Sequence, residues 1–386
     1  MIISGCCTAF VCLVVFGLMA LHATHLSRPS EQIKTMKVCL LIPLYTISSF
    51  LSICFPTAAV YLEPWLEYMQ AMALGSFFLL LCQFISGDYQ TEVSLFFAAF
   101  EVPRKKNQST VSGLEWFRKR WIAIFQYPVV ALFVAVATDI TQAAGIYCLD
   151  STKPYFAHIW LTVVVELSTG LAVTSVITFY GALKQHLASH RPLAKLLSFK
   201  LIVGLVFIEK IIFLILRSNN VLKESPTLSY ADVNIGIPNM VICIQMVPFA
   251  LFFPYAWNVA PYFLSRQNMA LPASENHHQN RYGTDTTYYH KGSGDDILMR
   301  YKGGPLGARA WLGVLSPMEI LRAIRFAFNM STELRSRNTG MTDNGIGLES
   351  TRARESTTLG YGHTATDFRA PSPSYEPLID HNTKRT

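Results

Sequence analysis

Charge is scarce in this chain: Asp, Glu, Lys and Arg make up 15% of its 386 residues, where soluble domains carry about 25%. Recognisable chemistry is scarce too. No Walker loop, HExxH or GxSxG occurs, so nucleotide-driven pumping and the common hydrolase mechanisms have no foothold. The eight cysteines include no CxxC pair, which argues against zinc and dithiol chemistry. Asp139 has no second aspartate in an adjacent apolar run, as intramembrane proteolysis would need. No basic stripe interleaved with aromatics accompanies the net charge of +7, so nucleic acid is not an expected partner. His158 and Lys210 stand singly and specify no haem or retinal. Neither an enzyme nor a cofactor is expected.

What the chain has is apolar length. Hydrophobic residues make up 51% of it, and mean hydropathy is +0.30. A membrane span needs about 20 mostly apolar residues. Seven runs qualify: Ile2 to Leu21, Val38 to Tyr61, Tyr68 to Ser86, Trp121 to Thr138, Tyr155 to Tyr180, Phe199 to Leu216 and Gly236 to Phe263. The first lacks the basic leader and cleavage site of a signal peptide. The expected fold is an all-α membrane protein of seven transmembrane helices over residues 1–264. A largely disordered, Ser-, Thr- and His-rich tail follows over 265–386,.

The few charges are distributed unevenly. Loops after runs one, three and five, counting Lys200 at the very start of the sixth run with the last of them, hold thirteen Lys or Arg, among them Arg28, Lys34, Lys37, Arg118, Lys119 and Arg120; the other loops hold three. Positive loops stay inside, so the N-terminus is expected outside or lumenal and the tail cytoplasmic. The sequons at Asn107 and Asn329 fall on the cytoplasmic side and are expected to stay unglycosylated. Cys6, Cys7 and Cys148 share the outer side, leaving a disulfide, or packed thiols or lipidation near the membrane, as alternatives.

Within the tail, Ser316-Pro317-Met318-Glu319 has the form of a capping box with Pro at the first helical position,. Ile320, Leu321, Ile324 and Phe328 then recur at helical spacing beside Arg322 and Arg325. An amphipathic helix over about 316–330 is expected, on the inner leaflet or docked against the spans. Tyr375 and Leu378 fit a Tyr-x-x-apolar sorting signal.

Ionisable groups inside spans are costly and usually face a bundle interior or a wet cavity. His158, Thr162, Glu166 and Thr169 fall on one helix face,. Glu209 and Lys210 sit near mid-depth of the sixth run, with Lys210 the expected partner of Glu166. Tyr45, Ser49, Ser52 and Pro56 form a second stripe. Gln245 lies in the seventh run. Interhelical packing explains the hydroxyls and amides; a solute pathway better explains Glu166, Glu209 and Lys210.

Four stretches, in order, resemble the organic solute transporter alpha-subunit family, which includes the transmembrane-184-like group. They are Ile42-Pro43-Leu44-Tyr45-Thr46-Ile47-Ser48-Ser49-Phe50; Gln126-Tyr127-Pro128-Val129-Val130; Phe179-Tyr180 with Pro192, Lys195, Phe199 and Lys200; and Ile242-Cys243-Ile244-Gln245-Met246. The family's seventh-span Glu is Gln245 here, and Glu209 stands where relatives often have Gln. The resemblance implies seven spans and facilitated movement of amphipathic organic anions, steroid- or sterol-like, sometimes with a single-span partner subunit. A homo-oligomer is the other expected assembly. The alternative function is a seven-helix signalling or trafficking scaffold acting through its tail. The expected location is a vacuolar, endolysosomal or other endomembrane, or the plasma membrane, with lipids as obligate neighbours.

Overall fold

The computed structural model describes residues 1–86, 96–97, 101–103, 110–148, 154–187, 231–263 and 303–327, residue 329, and short stretches between 204 and 229. Apolar runs form helices because no water is available to backbone groups in a bilayer. Among the described residues, seven helices with complete bounds lie before residue 264: α1 (Ile2–Thr24), α2 (Pro29–Cys39), α3 (Leu41–Cys54), α4 (Ala59–Ser86), α5 (Gly113–Ala143), α6 (Ala157–Leu187) and α7 (Ile237–Ala256). Near the sixth run, the described residues from 204 to 216 are also helical. Among the described residues, six segments are long and apolar enough to cross a bilayer, α2 and α3 counting as one from Pro29 to Cys54.

Two boundaries differ from expectation. The second run does not continue to Tyr61. Phe55 leaves the helical region, with φ −133° and ψ 80°, and Pro56 begins a single 3-10 turn. A residue before proline is pushed toward extended backbone, so the turn falls at Phe55–Pro56 and α4 starts at Ala59. Pro56 therefore does not share the helical stripe of Tyr45, Ser49 and Ser52. The chain is also not wholly helical: Glu101–Pro103 (β1) and Thr110–Ser112 (β2) pair antiparallel, with Val102 opposite Val111. All eight cysteines are free thiols.

Two packing groups make the bundle. In one, α1, α3 and α7 pack on each other; in the other, α4, α5 and α6 do, and α3 and α2 both lie against α4. The second group is held by aromatic rings. Phe78 of α4 meets Trp121 and Phe125 of α5 and Phe179 of α6, with centroids 4.8–5.9 Å apart. Edge-to-face rings at these distances add about 0.5–1.5 kcal/mol per pair beyond burial.

After residue 303 the chain folds back on the bundle as a helical hairpin, α8 (Ala308–Leu315) and α9 (318–327). Gly307 enters α8 with φ +73°, and a Cβ there would lie 2.6 Å from the Ala23 carbonyl oxygen. Only glycine permits both the left-handed backbone and this approach. Gly307→Val is expected to detach α8 from the end of α1. The check is hydrogen exchange across 308–315, which should rise while exchange in α4 and α5 is unchanged.

Candidate functional site

Buried polar side chains sit where helices cross. Glu209, buried in the sixth run, accepts a 2.6 Å hydrogen bond at Oε2 from Nε2 of Gln245 on α7. Its other oxygen, Oε1, is buried and has no hydrogen bond among the described residues. The two residues that exchange acid and amide relative to the family pattern are therefore in direct contact. Close by in sequence, Cys243 of α7 is tied to α1 and α3: the Thr8 hydroxyl reaches the Thr46 carbonyl at 3.3 Å and the Cys243 sulfur at 3.7 Å.

Tyr45 and Ser49 are buried on α3. The Tyr45 hydroxyl donates to Oε1 of Gln70 on α4, and Nε2 of Gln70 donates to the Tyr127 hydroxyl of α5 at 3.1 Å. One amide thus links three helices, contributing about 0.6 kcal/mol per bond in a membrane bundle. Gln70 and the Tyr127 hydroxyl are absent from the site expected from sequence. Their signal is an amide in an apolar run and a tyrosine beside Pro128.

The α6 stripe is placed differently. Val165, Ser168, Ala172, Val176 and Phe179 are among the buried positions of α6. Ser168 exchanges hydrogen bonds with Gln126 of α5, its hydroxyl donating at 2.8 Å and its carbonyl accepting at 3.0 Å. Thr162 is exposed, and Glu166 and His158 are half-buried, so the stripe runs beside the α5-facing side. His158 stacks edge-on against Tyr147 at 5.1 Å. Lys210, the expected partner of Glu166, lies outside the described residues, as do Tyr375 and Leu378.

The turn between α1 and α2 forms a second polar knot. Gln32 is fully buried; its Oε1 accepts from the backbone N–H of Ser27 and Arg28, both at 2.9 Å, and its Nε2 donates to the His22 and His25 carbonyls. The knot reaches the short 3-10 turn that follows α7 (Ala260–Tyr262): the Ser27 hydroxyl donates to the Tyr262 carbonyl, and the Tyr262 hydroxyl to Glu31.

Lys34 and Lys37 of α2, both nearly buried, converge on one carboxylate of the hairpin. Glu319 lies 3.8 Å from Lys34 Nζ and 3.4 Å from Lys37 Nζ. Lys37 also donates to the Ser316 carbonyl at 2.8 Å, and Lys34 to Gln83 at 2.8 Å. Trp121 Nε1 donates to the Ala323 carbonyl at 2.9 Å, and Ile320 sits over Gly75. The Ser316 hydroxyl faces the Met318 N–H at 3.4 Å, as a cap should. Glu319, however, turns to the α2 lysines. Among the described residues, no group of three or more His, Cys, Asp or Glu is placed to hold a metal ion.

A family model described as organic solute transporter Ostalpha matches residues 1–262. Protein LAZ1 homolog 1 of Arabidopsis thaliana is 27% identical over 261 residues, covering 62% of this chain and 53% of that protein. Vacuole membrane protein hfl11 of Schizosaccharomyces pombe is 26% identical over 250 residues, covering 62% and 57%. Protein LAZ1 of Arabidopsis thaliana is 28% identical over 263 residues, covering 63% and 54%. The matched part of this chain thus spans about half the length of these curated relatives. No solved structure matches. With six segments able to span a bilayer among the described residues and this family match, the chain is an integral, multi-pass membrane protein.

Proposed function

Because this chain belongs to the organic solute transporter Ost-alpha family, we propose that it is a facilitative carrier of amphipathic organic solutes, steroid- or sterol-like anions in particular. One observation carries the reading: a buried carboxylate at a helix crossing has one oxygen on Gln245 and the other, Oε1 of Glu209, without a hydrogen bond among the described residues. A buried acceptor in that state is costly and suits a solute hydroxyl. Lys210 follows it in sequence and supplies positive charge for an anionic head, while apolar walls take the body. Tyr45, Ser49, His158, Thr162 and Glu166 complete the pathway in this reading.

The accompanying topology has seven spans, the sixth around residues 199–216, with the N-terminus outside or lumenal and the tail cytoplasmic. The thirteen-to-three distribution of basic residues supports it,. A vacuolar or related endomembrane is supported by the fission-yeast relative, a vacuole membrane protein by name, and by the Tyr375–Leu378 signal. The assembly is with a single-span subunit or a second copy.

Uptake of a labelled steroid sulfate into liposomes holding the purified chain tests the proposal. Saturable uptake is expected, falling about tenfold in Lys210→Ala through loss of one charge-assisted contact. A folded chain that gives no uptake, alone or with a co-purified single-span subunit, would overturn it. A chain cut after Leu264 separates the scaffold alternative: flux that survives the cut belongs to a carrier.

A further inference from the structure

The amphipathic pattern after Ser316 groups Ile320, Leu321, Ile324 and Phe328, for the inner leaflet or for docking against the spans. The fold divides that group, burying Ile320 and leaving Leu321 exposed. Ile320 and Ala323 are fully buried against the bundle, Ile320 over Gly75. A different apolar face remains outside, spread over both helices of the hairpin. Leu312, Leu315, Met318 and Leu321 are 69%, 76%, 57% and 53% exposed. Their exposure is comparable to that of Leu13, Leu167 and Leu251 on the spans, at 75%, 71% and 60%.

Spacing gives each helix one such face. Arg309, Leu312 and Leu315 recur every three residues on α8; Met318, Leu321, Arg322 and Arg325 recur at i, i+3, i+4 and i+7 on α9,. The three arginines are exposed, and none forms an ion pair with a carboxylate among the described residues. The hairpin's own Glu319 is turned to the opposite side, onto Lys34 and Lys37.

Depth follows from the anchors. Lys37 immediately precedes the apolar run that starts at Val38, and Trp121 immediately follows Arg118, Lys119 and Arg120. Both positions mark a membrane boundary, and both hold the hairpin, Lys37 through Ser316 and Trp121 through Ala323. The hairpin is therefore tied to the bundle at two boundary residues, at headgroup level,.

We propose that the α8–α9 hairpin is an in-plane membrane wedge. Leu312, Leu315, Met318 and Leu321 enter the acyl boundary of an anionic leaflet, and Arg309, Arg322 and Arg325 engage its phosphates. A helix of this kind sinks about 5–10 Å into the headgroup region. The inference rests on the membrane reading of the fold, and on neither transport nor the direction of insertion.

The test uses the full chain in phosphatidylcholine vesicles with and without phosphatidylserine. An environment-sensitive fluorescent amino acid replaces Leu315 or, in separate samples, Leu321 or Leu251. With phosphatidylserine, doxyl-labelled lipid should quench the probes at 315 and 321 as strongly as the probe at 251, and iodide should quench none. Each arginine near an anionic surface is worth about a fivefold change in surface binding. The variant R309Q/R322Q/R325Q should accordingly lose most of the quenching at 315 and keep it at 251. Iodide quenching at 315 and 321, with 251 still quenched by lipid, would overturn the proposal: the face would then await water or a soluble protein. The probe at 251 reports insertion of the bundle itself, so a failed wedge is distinguishable from a chain misread as membrane-embedded.

Discussion

Exchanging Glu319 for lysine is expected to release the hairpin from the bundle, and trypsin cleavage at Arg322 and Arg325 in detergent should accelerate roughly thirtyfold. Lys34 and Lys37 expose 5% and 7% of their side chains, and Glu319 is the carboxylate both approach. Removing one member of a buried pair costs about 3–5 kcal/mol. Glu319 keeps 29% of its side chain in solvent, which lowers the figure to about 2 kcal/mol. That energy is about a thirtyfold change in the ratio of docked to free hairpin, and cleavage follows the open population when reclosing is fast. The lysine adds repulsion where three cations would meet. Glu319→Gln retains a hydrogen-bond acceptor and should accelerate cleavage only a few-fold. Wild-type cleavage in Glu319→Lys would mean that Trp121 and Ile320 hold the hairpin unaided.

How far such features are legible in advance depends on range. Apolar runs locate the long helices, because hydropathy is a local property that the bilayer acts on directly. The turn at Phe55 escapes that reading because the run around it is uniformly apolar; the cue is Pro56, whose spacing also fits a helical stripe. Ser316 and Glu319 are visible as a local cap, and Ser316 caps. Glu319 instead serves Lys37 and Lys34, 282 and 285 positions away in sequence, which no short-range pattern encodes. The hairpin shows the same limit: an amphipathic helix has an apolar face whether lipid or protein receives it, and α9 offers one face to each. Glu209 stands out because ionisable residues are rare in spans. Its contact with Gln245 is suggested only by the reciprocal departure from the family pattern, and Gln70 carries no mark beyond being an amide in an apolar run.

That reciprocal departure leads to a swap experiment. Glu209→Gln alone should reduce steroid-sulfate uptake about tenfold, the value of one charge-assisted hydrogen bond of about 1.5 kcal/mol. Stability should change little, because the carboxamide oxygen introduced by that substitution can still accept the Gln245 N–H. Gln245→Leu should do the opposite to the fold. It leaves the Glu209 carboxylate buried without its 2.6 Å donor, at a cost of about 1–3 kcal/mol, and thermal unfolding in detergent should report it. In the double variant, Glu209→Gln with Gln245→Glu, the acid returns to the same crossing from α7 and the amide faces it from the sixth run. Uptake should recover to within about threefold of wild type, a deficit of less than about 1 kcal/mol. If the double variant is as damaged as Glu209→Gln, the acid acts through its place on the sixth run and not as a shared group between the two helices. Recovery would establish that the carrier requires one carboxylate at this crossing and tolerates either helix as its source.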